Sequence, residues 1–226
     1  MAPPPSNLHH REYEPKPDKY PGVIALRRRF STVAKTAAPS LLLLALPFMF
    51  FWQVWWPSSY PRQVFAHGDF VEQHYPFRVF TARELRAGRL PLWDAHTFSG
   101  YPAIAESQHA TFYPLGLWHI VFAENLPFLA LEMEALFHLG LLGVSTFLLV
   151  RKLTGRSDAG LLAGGAFSLS GFLTSYPLLQ LPILETALWL PISLWLLELS
   201  MQRHSLRLAS LVGVALGCSL LAGHPQ

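Results

Sequence analysis

The stretch that decides the fold runs from Pro39 to Trp56 and is PSLLLLALPFMFFWQVWW. It is close to the roughly 20 apolar residues that a membrane-spanning helix needs. Trp55 and Trp56 end it, as is typical of the membrane–water interface. The run is longer than the roughly 7–15 apolar residues of a signal peptide, and no small-residue cleavage site follows. We therefore predict a retained membrane span over 39–56.

The composition agrees with a membrane protein. Hydrophobic residues make up 51% of the 226 residues and charged residues 14%, against about 25% charged in soluble domains. The net charge of +3 comes from basic blocks between apolar runs, which indicate topology. We expect no nucleic-acid partner. The single Cys218 excludes a disulfide within this chain.

Further apolar runs predict four more spans, at about 126–150, 160–176, 178–200 and 206–223. Basic residues precede the first span and fill the connectors at 151–156 and 202–207. The positive-inside rule then places these segments in the cytoplasm and the loop 57–125 outside. The predicted fold class is an all-α integral membrane protein. It has about five transmembrane helices and a large extracytoplasmic first loop that carries short amphipathic helices.

The chain divides into two predicted regions. Residues 1–38 are Pro-rich and then basic, so we expect a disordered cytoplasmic N-terminal tail. Residues 39–226 form the N-terminal part of a polytopic membrane domain. The sequence stops as the fifth run ends, so we expect a piece of a longer protein that is inactive by itself.

One amphipathic helix is predicted inside the external loop, over Pro76–Ala87. Proline suits its first turn, and Gly88 suits the position just past its end. Phe77 and Phe80 are expected to enter the membrane interface. Three cations lie at its C-terminal end, where they favour the helix dipole and can meet lipid headgroups: Arg83, Arg86 and Arg89.

Two acids of the external loop are candidates for chemistry. Asp69 and Glu106 lie beside the membrane, where a carboxylate can accept the proton of an attacking hydroxyl or hold a divalent cation. The alternatives stay open at this point. Asp69 can be a solvated acid or a helix cap, and Glu106 can pair with a loop arginine.

Further polar residues fall in the outer halves of the predicted spans. Glu134 and His138 are one helical turn apart and share a face. Carboxylates are costly in a bilayer, so they should face the bundle or a wet cavity. The topology predicts that one external cavity gathers Asp69, Glu106, Glu132, Gln180, Glu185 and His224.

An ordered series of short motifs resembles the bacterial YfhO-type membrane proteins over about residues 40–226. The motifs are Gly68-Asp69-Phe70, Gln73-x-Tyr75-Pro76-Phe77-Arg78, Leu90-Pro91-Leu92-Trp93, Gly100-Tyr101-Pro102, Glu106-x-Gln108, Phe112-Tyr113-Pro114, Ser170-Gly171-Phe172 and Gly223-His224-Pro225-Gln226. That family resembles the GT-C class of membrane glycosyltransferases, whose members have about a dozen spans. The resemblance implies a bacterial cytoplasmic membrane protein.

The resemblance also implies an activity. The donor would be a polyprenyl-phosphate-linked sugar, and the acceptor a glycan or lipid of the cell envelope. Asp69 matches the catalytic acid of the first external loop, and Glu106 stands where the family more often has Asp or Asn. Family members vary in metal use, so the resemblance leaves open a divalent cation, Mg²⁺ or Mn²⁺, on Asp69 and Glu106.

We hypothesise an inverting transfer in which Asp69 activates the acceptor hydroxyl and an arginine neutralises the lipid phosphate. The candidate substrate-binding residues are Gln73, Arg78, Arg83, Arg86, Gln108, His109, Tyr113, Glu185, His224 and Gln226. Two other functions stay open. One is a transporter or flippase subunit for a lipid-linked intermediate, and the other is a non-catalytic membrane scaffold.

Overall fold

The computed structural model describes residues 21–56, 63–65, 68–175 and 179–224. Within these ranges the chain is helical and forms no β-strand, apart from one isolated bridge between Asp94 and Tyr101. The all-α class expected from the sequence is confirmed. Residues 36–226 form one compact unit, and the contacts described below belong to it.

The α-helices follow the predicted apolar runs with altered bounds. They are α1 (Pro21–Phe50), α2 (Trp52–Trp55), α3 (Tyr75–Arg86), α4 (Phe128–Thr154), α5 (Ser157–Ser168), α6 (Leu181–Arg203) and α7 (Leu206–Leu221). Short 3₁₀ turns lie between α3 and α4, at Ala103–Ala105, Ser107–His109, Leu117–Val121 and Ala123–Asn125. Helix α1 begins at Pro21, within the segment for which a tail was predicted; residues 1–20 lie outside the described ranges.

Two described helices are long and apolar enough to cross a membrane. They are α4, with 27 residues, and α6, with 23. The apolar part of α1 from Thr36 and helix α7 are shorter. Helix α5 has 12 residues and a length of about 18 Å, against a hydrocarbon thickness of about 30 Å. It ends at Ser168, where the predicted third span was to continue, and turns stabilised by Ser170 follow.

Glycines bring α1, α4 and α5 into close contact, as small residues do in membrane bundles. A methyl group on Gly164 would lie 2.5 Å from the carbonyl oxygen of Gly143, and one on Gly140 would lie 2.7 Å from that of Leu44. Helix α4 also packs on α6, and α6 packs on α7.

Helix α3 matches the predicted amphipathic helix within one residue at each end, and Gly88 follows it with φ of +72°. Its aromatic side chains were wrongly assigned to the membrane interface. Phe77 and Phe80 are buried inside the protein, and the Phe77 ring stacks on His109 at 3.9 Å. The 3₁₀ segment folds over α3 and covers this face, which is a tertiary contact that helical periodicity does not reveal.

Candidate active site

Asp69 lies exposed at the start of a helical segment that continues into α3. Gly68 precedes it with φ of +135°, a conformation that favours glycine. The next five residues, Phe70–His74, form a π-helical turn in which Tyr75 N–H donates to Phe70 O. Such turns are frequent at functional sites. This turn sets the orientation of Asp69 relative to the rest of α3.

The buried side chain of Gln180 holds the Asp69 carboxylate, and buried His74 in turn holds Gln180. Gln180 Nε2 donates to Asp69 Oδ2, and Gln180 Oε1 lies 3.1 Å from His74 Nε2. Because the amide nitrogen faces the carboxylate, the amide oxygen must accept from His74. The proton of a neutral His74 therefore sits on Nε2. These two hydrogen bonds, from His74 to Gln180 and from Gln180 to Asp69, fix the orientation of the exposed Asp69 carboxylate.

His74 is neutral at neutral pH when it donates to Gln180. Its pKa is lowered from 6.5 to about 4, chiefly by burial, and the positive charge of Arg78 and the nearby His224 contribute to the decrease. The hydrogen bond to Gln180 and the charge of Asp69 oppose this decrease only in part. His74 Nδ1 has no hydrogen-bond partner among the described residues. His74 therefore orients Gln180 at neutral pH and supplies no positive charge to the site.

The loop around Glu106 joins the same side of α3. Glu106 Oε1 accepts from the backbone N–H of Gln108 at 3.1 Å, and Gln108 Oε1 accepts from Gln73 Nε2. The structure thus brings together three predicted site residues, Gln73, Glu106 and Gln108. Gln73 belongs to the π-helical turn, so this loop is tied to the segment that presents Asp69.

The end of α7 reaches this loop as well. A methyl group on Gly223 would lie 2.2 Å from the carbonyl oxygen of Ser107, so the two backbones are in contact. His224 is close enough to His74 to influence its pKa. The predicted convergence of Asp69, Glu106, Gln180 and His224 at one end of the bundle therefore has structural support. Gln226 lies outside the described residues.

A second polar group lies deeper, where α3 meets α4 and α6. Arg78 Nη2 donates to both oxygens of Glu185, at 2.5 and 2.7 Å, and both side chains are buried. Burial disfavours the charge of Arg78, but the carboxylates of Glu185 and Glu134 outweigh it and raise the pKa of Arg78. Arg78 was predicted to bind the lipid phosphate, whereas its described partner is Glu185.

Glu134 and His138 complete this buried cluster, as their shared helix face predicted. Ligand atoms of Glu134, His138 and Glu185 lie within 4.8 Å of one another. His119 Nε2 lies 2.6 Å from Glu134 Oε2. Glu134 and Glu185 are also close enough to share a hydrogen bond when one of the two carboxyl groups is protonated. We call Arg78, His119, Glu134, His138 and Glu185 the buried cluster.

Two predicted substrate-binding residues, Tyr113 and His109, have no exposed surface. The Tyr113 hydroxyl lies 2.8 Å from His138 Nε2 and accepts from Trp189 Nε1 at 3.2 Å. His109 contacts Thr81 Oγ1 at 3.3 Å, and its Nε2 contacts the Tyr101 hydroxyl. Burial lowers the pKa of His109 to about 4. In this structure both residues position loops and do not face an open site.

The remaining arginines of α3 lie far from Asp69. The helical path from residue 69 to residue 83 rises roughly 20 Å at about 1.5 Å per residue. Arg83 and Arg86 line a separate cavity of about 290 Å³ with Phe122, Ala123 and Asn125. Arg86 donates to Val121 O, and Arg89 pairs with Glu84 at 2.8 Å. Arg83 and Arg86, which were predicted to bind the lipid phosphate, therefore do not share a site with Asp69 in this structure.

Glu132 and the two predicted metal ligands, Asp69 and Glu106, lie outside the buried cluster. The carboxylate of Glu132 accepts from the backbone N–H of Phe65 at 3.0 Å, away from the buried cluster. Within the described ranges, the group of three or more potential metal ligands is Glu134, His138 and Glu185. Asp69 and Glu106 do not belong to it. A cation on Asp69 and Glu106 would therefore need oxygen ligands from elsewhere.

The sequence did not single out His119 and did not give His74 a role beyond being near Asp69. His119 stands among apolar residues and His74 beside polar ones, and only the fold shows the partner of each. Gln180 lies 106 residues from His74. A loop histidine next to tryptophan, as in Trp118-His119, carries no signal of its partner without the tertiary contact.

No family model, curated protein or solved structure matches this chain.

Proposed function

We propose that this chain is part of a polytopic membrane glycosyltransferase that transfers a sugar from a polyprenyl-phosphate donor to an acceptor in the cell envelope. The single observation that carries the proposal is the exposed Asp69 carboxylate held by Gln180, which His74 orients in turn. A catalytic base needs an accessible carboxylate in a fixed orientation. An acid that merely solvates a loop does not need two buried side chains to orient it.

The proposed chemistry is a single inverting displacement. The acceptor hydroxyl attacks the anomeric carbon of the donor while Asp69 takes the hydroxyl proton. The bond between that carbon and the phosphate oxygen breaks, and the polyprenyl phosphate leaves with the bonding electrons. Gln180 acts as a positioning residue, because it contacts Asp69 and not the reacting atoms.

The proposed setting is the outer face of a bacterial cytoplasmic membrane. The proposed orientation, with the N-terminus inside and the loop of Asp69 outside, rests on the basic blocks around Arg151 and Arg203. Helices α4 and α6 support the membrane setting by their length and apolarity. The buried glutamates of these helices, Glu132, Glu134 and Glu185, lie in the N-terminal halves, on the proposed outer side, and basic residues lie in the last turns.

The proposed donor brings a phosphate that needs a counter-charge. Arg78 pairs with Glu185, and Arg83 and Arg86 lie at the far end of α3. A divalent cation, Mg²⁺ or Mn²⁺, on Asp69 and Glu106 is one way to supply the charge. Activity measured with chelator, with Mg²⁺ and with Mn²⁺ separates a metal-dependent transfer from one that uses protein groups alone.

The decisive experiment uses the complete gene in its native host. Cell-envelope glycans are compared in the wild type, a deletion strain, and strains that carry Asp69→Asn or Glu72→Gln at wild-type protein levels. Glu72 is the matched control, because it is an exposed carboxylate in the same π-helical turn. We expect deletion and Asp69→Asn to lose the same sugar, and Glu72→Gln to keep it.

Two results would contradict the proposal. If Asp69→Asn keeps the modification, Asp69 is not the base, and a transporter or scaffold explains the effect of deletion better. If the missing component is an unmodified lipid-linked sugar that accumulates on the cytoplasmic side, the protein moves the donor and does not use it. Loss of the sugar in both Asp69→Asn and Glu72→Gln would indicate general damage to the turn.

A further inference from the structure

The cavity at the C-terminal end of α3 is separate from the proposed transfer site. Its volume of about 290 Å³ is close to the lower limit of roughly 300 Å³ for small-molecule sites. Arg83 and Arg86 line it from α3, where residues three apart share a face. Phe122, Ala123 and Asn125 line it from the 3₁₀ turns that pack on α3. The cavity therefore combines two cations with apolar and amide groups.

The two arginines of this cavity keep hydrogen-bond donors that no described acid uses. Arg83 lies 3.9 Å from Glu84, but both oxygens of Glu84 accept from Arg89, at 2.8 and 2.9 Å. Arg86 donates one N–H to a backbone carbonyl of the facing turn, and a guanidinium has five such donors. Glu124 is a further acid of this segment in the sequence, and its side chain lies outside the described ones. Two arginines and one acid leave a net positive charge, which suits an anion.

An exposed apolar surface lies next to the cavity. It consists of the large apolar side chains of the 3₁₀ turn and its end: Leu117, Trp118, Val121 and Phe122. Val121 is 71% exposed, and the Trp118 ring packs edge-on against the ring of Phe122. Tryptophan and other large apolar side chains, with arginines beside them, are typical of segments that lie in a membrane interface.

The cavity also lies where the chain enters the proposed span α4. Only Leu126 and Pro127 separate Asn125 from Phe128, the first residue of α4. Helix α4 is one of the two described helices that are long and apolar enough to cross a membrane. With α4 in the bilayer, the turns that precede it lie at the level of the lipid headgroups.

We propose that this cavity binds the headgroup phosphate of an anionic phospholipid, whose acyl chains cover the exposed side chains of 117–122. A planar guanidinium can bind two phosphate oxygens at once, and Arg83 and Arg86 present two such groups. The adjoining apolar surface favours a lipid over an acidic peptide or a free phosphate, because neither of these has acyl chains to cover it. The site depends on the membrane setting and is independent of sugar transfer at Asp69. A lipid bound here would anchor the C-terminal end of α3 at the membrane surface.

The test uses full-length protein that is purified in detergent and freed of its native lipid. Phosphatidylglycerol is the probe, phosphatidylcholine with the same acyl chains is the zwitterionic comparison, and inorganic phosphate is the soluble anion. Native mass spectrometry counts the bound lipid molecules and gives their affinities. The variants are Arg83→Gln/Arg86→Gln and, in case the double variant folds poorly, Arg83→Gln, which keeps the Arg86 hydrogen bond. Arg156→Gln is the control for loss of charge, because Arg156 is exposed and pairs with Asp158 beyond the other end of α4.

We expect the wild type and Arg156→Gln to bind a single phosphatidylglycerol at least about tenfold more tightly than phosphatidylcholine. Each arginine beside an anionic lipid contributes about fivefold to affinity, so Arg83→Gln should bind about fivefold and the double variant about 25-fold more weakly. The proposal is overturned if the wild type binds no phosphatidylglycerol, if it binds both lipids equally, or if the double variant binds as the wild type does. Displacement of the lipid by equimolar inorganic phosphate would show a site for a soluble anion. Asp69→Asn should bind the lipid as the wild type does, which separates this test from that of sugar transfer.

Discussion

Removing Arg78, the positively charged residue of the buried cluster, should change the free energy of unfolding differently from removing one of its carboxylates. Replacing Arg78 by methionine leaves Glu185 and Glu134 with two uncompensated negative charges. Arg78 is 4% exposed and Glu185 is fully buried, so solvent screens this change little. Loss of one partner of such a pair costs about 3–5 kcal/mol.

Replacing Glu134 by glutamine has the opposite effect on charge. The variant brings the cluster to a net charge of zero, and the new amide N–H₂ can donate to Glu185 and to His119 Nε2. The contact between position 134 and His119 Nε2, which is 2.6 Å long with glutamate, can persist with an amide in place of the carboxylate. We expect a free energy of unfolding within about 1 kcal/mol of the wild type, or an increase.

The assay is thermal unfolding of detergent-purified protein, followed by far-ultraviolet circular dichroism with a metal chelator present. For a chain of this length about 1 kcal/mol shifts Tm by roughly 2–4 °C, so Arg78→Met should lower Tm by roughly 6–20 °C. The double variant Arg78→Met/Glu185→Leu restores the original net charge and should recover most of that loss. Equal losses in Arg78→Met and Glu134→Gln would refute the charge count, and so would an unchanged Tm in Arg78→Met.

Three further predictions use other parts of the structure. His74 has a pKa of about 4 in the folded chain and an ordinary value of 6.5, so only the unfolded chain gains its proton between these values. Stability should fall as the pH decreases from about 6.5 to about 4, by roughly 3 kcal/mol from this residue, and His74→Gln should flatten Tm against pH. Arg78, Asp69 and His224 surround His74, and their replacement tests the electrostatic part. Gly164→Ala should lower stability by about 1–3 kcal/mol because its methyl would lie 2.5 Å from the Gly143 carbonyl oxygen. Gly165→Ala, with its nearest contacts at 3.8 Å, should leave Tm unchanged. Gln180→Leu should lower the kcat of sugar transfer at least about tenfold with little change in KM, whereas an equal fall in the Thr186→Val control would indicate disturbed packing of α6.

The sequence predicted features that depend on local pattern. Proline and glycine marked the two ends of α3, apolar length marked α4 and α6, and helical spacing placed Glu134 and His138 on one face. Features set by distant contacts were not predicted. Arg78 and Glu185 are 107 residues apart, so an arginine expected to face lipid phosphate instead pairs with a carboxylate on another helix. Phe77 was expected at the membrane interface for the same reason, since only the fold shows that the 3₁₀ loop covers it.

The predicted third span differs from the helix in the structure for another reason. Its composition suits a bilayer, but length alone does not require a helix to continue through Ser168-Leu169-Ser170-Gly171. The hydroxyl and carbonyl of Ser170 bond to Leu173 N and Thr174 Oγ1, which offers the backbone an alternative to the helix. Hydropathy measures the preference for lipid and does not measure this competition.

The direction of the Asp69 side chain depends on the number of residues in the π-helical turn between Asp69 and α3. The surface acid and the buried Arg78 belong to one continuous helical segment, so their relative direction is set by how many residues separate them. Deleting one residue from this turn would shift the helical register by about 100°, and it would point Asp69 away from Gln180 while Arg78 kept its place. Such a deletion should therefore remove the contact between Gln180 and Asp69 while the helix bundle still folds.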